Sequence, residues 1–83
     1  MPEDLMELYC RRVCGNLRSR INAEIYVNSD KDDMVIDIYW GEFQYQQVFS
    51  QMYKLVYRGI STDNIADFIY NNYRQKLLQE AFI

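Results

Sequence analysis

Residues 21–40 read INAEIYVNSDKDDMVIDIYW, and the fold turns on them. Ile21, Ala23, Ile25 and Val27 alternate with Asn22, Glu24, Tyr26 and Asn28, and Met34, Ile36, Ile38 and Trp40 alternate with Val35, Asp37 and Tyr39. A period of two built from β-branched and aromatic side chains is the signature of a half-buried strand. The link from Asn28 to Asp33 is polar and made of turn formers. The stretch therefore predicts an antiparallel β-hairpin. Setting Val27 against Met34 sends the aliphatic set into a core and leaves Glu24, Tyr26, Val35, Asp37 and Tyr39 on the opposite face. That register puts Glu24 directly across from Asp37, and like charges facing each other across strands are destabilising. Either the register differs, or a neighbouring cation compensates, or the face serves a partner.

Outward from the hairpin the period changes. Leu5, Met6, Tyr9, Cys10, Val13 and Leu17 fall on one side of a helix predicted from about residue 3 to 18. Acids fill its first turn and arginines its last, which suits the helix dipole, and Glu7 and Arg11 are spaced for an i,i+4 pair. Gly15 lies opposite the apolar stripe and is a candidate for an earlier helix end. Beyond Gly41 two readings compete. Phe43-Gln44-Tyr45 suits a short third strand, but Tyr45, Val48, Phe49, Met52, Leu55 and Val56 repeat at helical spacing, which favours a helix over about 42–58. Gly59 then serves as its C-terminal cap. Ser61 or Thr62 caps a last helix running to about Glu80, with Ile65, Ala66, Phe68, Ile69, Tyr73 and Leu77 on its apolar side and Leu78 and Phe82 pointing away. The order α, β, β, α, α predicts an α+β fold: an antiparallel hairpin packed against helices. Two strands alone are marginal, so the helices must supply the rest of the core.

Composition sets the bounds. Eighty-three residues, 49% of them hydrophobic, suit one domain over residues 1–83 and are too apolar for a disordered chain. No run of apolar residues approaches a transmembrane span, and the acidic start Pro2-Glu3-Asp4 is unlike a secretory signal. The net charge of -3 is unevenly placed. Residues 21–50 hold Glu24, Asp30, Asp32, Asp33, Asp37 and Glu42 against Lys31 alone, whereas each flanking segment carries a small positive excess. An acidic segment repels phosphate and favours basic partners. The plainer reading is a solvated strand face.

Several chemistries find little footing. Cys10 and Cys14 stand four apart on the first helix, with no histidine and no third cysteine to complete a zinc site. A disulfide within one helical turn is geometrically poor. They are expected to be free thiols in a reducing compartment, which together with the lack of a span predicts a cytoplasmic protein. Asn28, Asp30, Asp32 and Asp33 invite a calcium loop, but position 6 is then Asp33 rather than glycine and position 12 is Tyr39 rather than glutamate. No metal or cofactor is expected. Without histidine the commonest general base is absent, no serine has a visible base beside it, and no glycine loop cradles phosphate. Glu24, Asp37 and Glu42 lack the lysine that a metal-nuclease cluster usually adds. An enzyme is not expected.

Two binding readings remain, with a third for self-association. Arg58 to Ala66 resembles the opening of a helix-turn-helix, with a capping residue before an Ile-Ala pair and Arg74 and Lys76 further along the last helix. A DNA-binding regulator using residues 59–76 follows from it, against a sequence pI of about 4.7. The leading reading is a non-enzymatic protein-binding module. Tyrosine suits binding surfaces because a rigid ring buries area and keeps a polar tip, and acids beside it can meet an arginine-rich surface. Glu24, Tyr26, Asp37 and Tyr39 would carry such contacts, with Asp30, Asp32 and Asp33 as steering charges. The partner would be a basic, nucleic-acid-binding protein, occupied in the manner of the small acidic inhibitors that phages and mobile elements encode. The third reading is a dimer through Leu78, Phe82 and Ile83.

Overall fold

The computed structural model describes residues 2–81, with side chains from 5 to 80. Along the chain run α1 (Pro2–Arg18), β1 (Glu24–Asp30), β2 (Asp33–Trp40), β3 (Phe43–Phe49), α2 (Tyr53–Tyr57) and α3 (Thr62–Ala81). The strands form one antiparallel sheet in the order β1-β2-β3. The α+β class and the hairpin are as the sequence implies, and the sheet has one strand more.

The hairpin register differs from the expected one by two residues. Val27 faces Ile36 rather than Met34, Ser29 faces Met34, and the turn narrows to Lys31-Asp32 between Asp30 and Asp33. Lys31 takes a φ of +56°, the left-handed conformation that a two-residue hairpin requires at its first central position. A shift of two leaves every side chain on its expected face. It replaces the Glu24–Asp37 pair by Glu24 opposite Tyr39 and Tyr26 opposite Asp37, and brings Asp30 opposite Asp33 at the tip.

The helix expected over 42–58 is replaced by β3 and the short α2. Gly41, at φ +60°, turns the chain within two residues, so that Phe43 faces Trp40. Phe43, Tyr45, Gln47 and Phe49 are half-buried while Gln44, Gln46 and Val48 are exposed, which is the period of a strand. Tyr45, Val48, Phe49 and Met52 satisfy the helical period equally well. The strand wins because β2 would otherwise keep a row of unpaired backbone groups along a buried strand. The chain then leaves the sheet at Ser50. Met52 is buried, and its N–H donates to the Asp32 carbonyl at 2.7 Å, tying the connection to the tip of the first hairpin.

Short-range rules close the remaining elements. The Ile60 N–H donates to the Leu55 carbonyl and the Gly59 N–H to Val56, a paired C-terminal cap with Gly59 at φ +66°. The Ser61 hydroxyl accepts from the Asn64 N–H at 3.0 Å and starts α3. Gly15 does not end α1, which continues to Arg18.

α1 and α3 pack against each other and cover one face of the sheet, α1 over β1 and α3 over β3. The core joins Cys10, Val13 and Leu17 of α1, Ile25 of β1, Met34, Ile36 and Ile38 of β2, and Ile65, Ala66, Ile69 and Tyr73 of α3, with Ile21 and Met52 from connections. Tyr73 stands edge-on to both Phe43 and Tyr45. Phe68, expected inside, lies 53% exposed beside Phe49. Arg20 fastens the start of α3 to the end of α1. Its guanidinium donates to Asp63 at 2.5 Å, to Asp67 at 2.9 Å and to the Asn16 carbonyl at 2.7 Å. The Tyr9 hydroxyl adds a bond to the Ile60 carbonyl at 2.8 Å.

Candidate functional site: the open face of the sheet

Because helices cover only one side, the other side of the sheet meets solvent. Period two assigns it Glu24, Tyr26, Asn28 and Asp30 from β1, Asp33, Val35, Asp37 and Tyr39 from β2, and Gln44, Gln46 and Val48 from β3. None of these side chains is buried. Every charge on the face is negative: Glu24, Asp30, Asp33 and Asp37.

The sheet brings the residues expected to bind a partner into one surface. Tyr26 and Tyr39 are 49% and 36% exposed, and their rings meet edge to face with centroids 6.0 Å apart. The pair forms a ridge between two carboxylates. Asp37 lies opposite Tyr26, and Glu24 lies opposite Tyr39. The Tyr26 hydroxyl reaches the Glu24 carboxylate at 3.5 Å. Asp30 and Asp33 face each other where the hairpin closes, and Asp32 is exposed in the turn itself. These three acids therefore cluster at one end of the ridge.

β3 adds residues that sequence reasoning did not place here. The Gln46 side-chain amide donates to Asp37 at 2.8 Å, and the Gln44 amide donates to the Tyr39 hydroxyl at 3.3 Å. These bonds orient an acceptor and a ring tip on the central strand. The signal that could have revealed them was the turn glycine, Gly41, directly after the alternating run. Val48 and Val35 pair near the tip of the first hairpin, beside Asp33, and give that end of the face an apolar strip.

The other candidates fall elsewhere. Cys10 is buried and Cys14 half-buried, both as free thiols, with Cys14 Sγ 3.6 Å from the Ile25 carbonyl. Burial first, then the Glu7 carboxylate and Cys14, push the Cys10 thiol pKa up, away from a reactive thiolate. Among the described residues no group of three or more His, Cys, Asp or Glu side chains converges to hold a metal. No described helix is long and apolar enough to cross a membrane. A cleft of about 710 Å³ opens between α1, the hairpin tip and α2, and its walls include Leu5, Met6, Val56 and Tyr57.

Compared with protein-family models, with curated proteins and with solved structures, the chain finds no match. The face must therefore be read from its own chemistry.

The helix-turn-helix outline changes shape. Its first helix was to be 42–58 and is the five-residue α2. On α3 the exposed acids Asp63 and Asp67 hold Arg20, and Lys76 lies 3.8 Å from Glu80, while Arg74 is exposed. Leu78 is exposed on α3, whereas Phe82 and Ile83 lie outside the described residues.

Proposed function

We propose that the protein is a non-enzymatic binding module whose open sheet face occupies a basic surface of a partner protein, in the way a nucleic acid would. The observation that carries this reading is a sheet face with no helix over it, all of whose charges are negative and whose centre is a pair of exposed tyrosines. Carboxylates accept from guanidinium and ammonium groups, the rings offer faces to the same cations, and the glutamines donate where a partner presents carbonyls. A rigid sheet holds these groups without ordering a loop on binding, which lowers the entropic cost. A domain of this kind acts by competition: it fills a groove built for phosphate, as inhibitors encoded by phages and mobile elements do.

The DNA-binding alternative is less well supported, because α3 carries Asp63, Asp67 and Glu80 against only Arg74 and Lys76, with no basic excess to meet phosphate. One experiment separates the two. Nuclease-treated lysate is passed over immobilised wild type and over the Glu24→Lys, Asp37→Lys double variant. Retained proteins are identified and then challenged with added DNA or RNA at rising salt. The reading expects a basic nucleic-acid-binding protein held by wild type alone and released by nucleic acid. Retention that ignores both the charge swap and the salt would end it, and a gel shift of DNA abolished by Arg74→Ala would favour the alternative.

A further inference from the structure

The two edges of the sheet are treated differently. On the β1 edge, the Ile25 carbonyl accepts from Arg18 Nη2 at 3.2 Å and lies 3.6 Å from Cys14 Sγ. A long cationic side chain laid over an edge carbonyl is a common way to block strand addition. That carbonyl also fixes the ladder. If Ile25 turns its backbone groups away from β2, its partner Ile38 turns its own toward β3 and bonds Tyr45. Alternate residues along an antiparallel strand point oppositely, so the groups of Gln44, Gln46 and Val48 face outward from β3. Among the described residues no side chain bonds to them, and no backbone group outside the sheet does.

The strand that carries this open edge is Phe43-Gln44-Tyr45-Gln46-Gln47-Val48-Phe49. It has no charge, no proline and no glycine in a chain that is 25% charged. The line of α3 nearest to it is uncharged too, with the mutually neutralising Lys76–Glu80 pair one position further round. Phe68, Asn72, Gln75 and Gln79 fall on one line of α3, and the line lies over β3, since Phe68 packs on Phe49 and Asn72 Nδ2 reaches Gln47 Oε1. Interface centres are depleted of charge in this way.

We infer that the β3 edge pairs with the β3 edge of a second copy, antiparallel about a two-fold axis at Gln46, making one six-stranded sheet. The sequence is self-complementary in that register. Phe43 faces Phe49 of the second copy, Tyr45 faces Gln47, Gln44 faces Val48, and Gln46 faces itself. The outward-facing residues then oppose one another as bonded pairs, giving six N–H···O bonds. No like charges meet. Each copy's acidic β2 lies three strand spacings from the other's, about 14 Å, beyond a Debye length of about 8 Å at physiological salt. β3 is the edge at which two acidic sheets join without mutual repulsion. The inference does not depend on what the acidic face binds.

Sedimentation velocity over a concentration series tests it, with far-UV circular dichroism to confirm folding. Wild type is expected to pass from the 10.1 kDa monomer to twice that mass as concentration rises. Gln46→Lys sets cations face to face across the axis, while within the monomer the new lysine lies opposite Asp37 and leaves the fold undisturbed, and should raise the dissociation constant roughly fivefold. Gln46→Pro removes both central N–H donors while leaving the bonds to β2, and should raise it about thirtyfold. A wild type that stays monomeric into the millimolar range overturns the inference. So does a dimer that both variants leave intact, or one lost only on truncation after Leu77, which would place the contact at Leu78, Phe82 and Ile83.

Discussion

Replacing Asp37 by lysine should stabilise the isolated domain while destroying the surface it presents. Asp37 sits on the central strand, diagonal to Glu24 across the β1–β2 ladder. Diagonal neighbours stand about 7–8 Å apart. Two like charges at that distance repel by about 0.5–1 kcal/mol at an effective dielectric constant of roughly 40–80. Screening at physiological salt reduces this to about 0.2–0.4 kcal/mol. A lysine reverses the sign, so the swing is about 0.4–0.8 kcal/mol, from which the exposed Gln46–Asp37 bond subtracts a few tenths. The net gain, about 0.1–0.5 kcal/mol, corresponds to a rise in Tm of up to about 4 °C for a domain of this size. Thermal unfolding followed by circular dichroism reads it directly. The gain should shrink towards zero in molar salt, where the Debye length falls to about 3 Å. A loss of more than about 1 kcal/mol would show that Asp37 is held by its folded-state contacts. A gain indifferent to salt would show that repulsion is not the cause.

Other perturbations address the frame that holds the face. Ile36→Ala empties the middle of the buried central strand and should cost about 2–5 kcal/mol in urea unfolding, a large share of the roughly 4–12 kcal/mol that a chain of this length commands; a cost below about 1 kcal/mol would contradict the packing. Gly15→Ala should gain about 1 kcal/mol, since a Cβ there meets nothing within 4 Å on a helical backbone; destabilisation would mean that the groove beside β1 is tighter than described. Arg20→Ala removes three hydrogen bonds, but the aspartates are 66% and 57% exposed, so a loss of only about 0.5–1.5 kcal/mol is expected, partly abolished by salt. Burial pushes up the pKa values of the Cys10 thiol and the Tyr9, Tyr45 and Tyr73 phenols. Their neutral forms therefore favour the folded state, and this stability is complete below the ordinary thiol value of 9.0 and phenol value of 10.0, then declines as pH rises towards the folded values. A pH series of melts that shows no decline above these values would refute that linkage.

What the sequence could reveal depended on how local each decision is. α1 and α3 were legible because their apolar stripes, the Ser61 cap and the Glu7–Arg11 spacing are written within a few turns, and that ion pair forms at 3.7 Å. The assignment of hairpin side chains to faces was legible because period two survives any even shift. The register itself was not. It rests on Lys31 taking a left-handed turn conformation that glycine or asparagine would have announced. β3 was misread for a related reason. Residues 45–56 satisfy both periods, and what decides between them is the demand of β2 for a second neighbour, which no local window contains. Gln44 and Gln46 stayed hidden from the face with it. Their amides now account for how Asp37 and Tyr39 are held.

The separation of faces explains how this chain can carry an electrostatically unfavourable surface. Folding information lies on the inner positions of the sheet, where Ile25, Met34, Ile36 and Ile38 meet the helices, and in the α1–α3 contact clamped by Arg20. The outer positions contribute little to that core, so their charge can be set by what they meet. A surface serving solubility alone would be expected to mix the two signs, since opposite charges across strands stabilise and like charges do not. The chain does mix them on the exposed flanks of α1 and α3. On the open sheet face it keeps only acids, and it places tyrosines where lysines would relieve them. On the proposed function, repulsion tolerated in the free domain would become attraction when a basic surface arrives, and the same term that lowers stability would then raise the rate and selectivity of association.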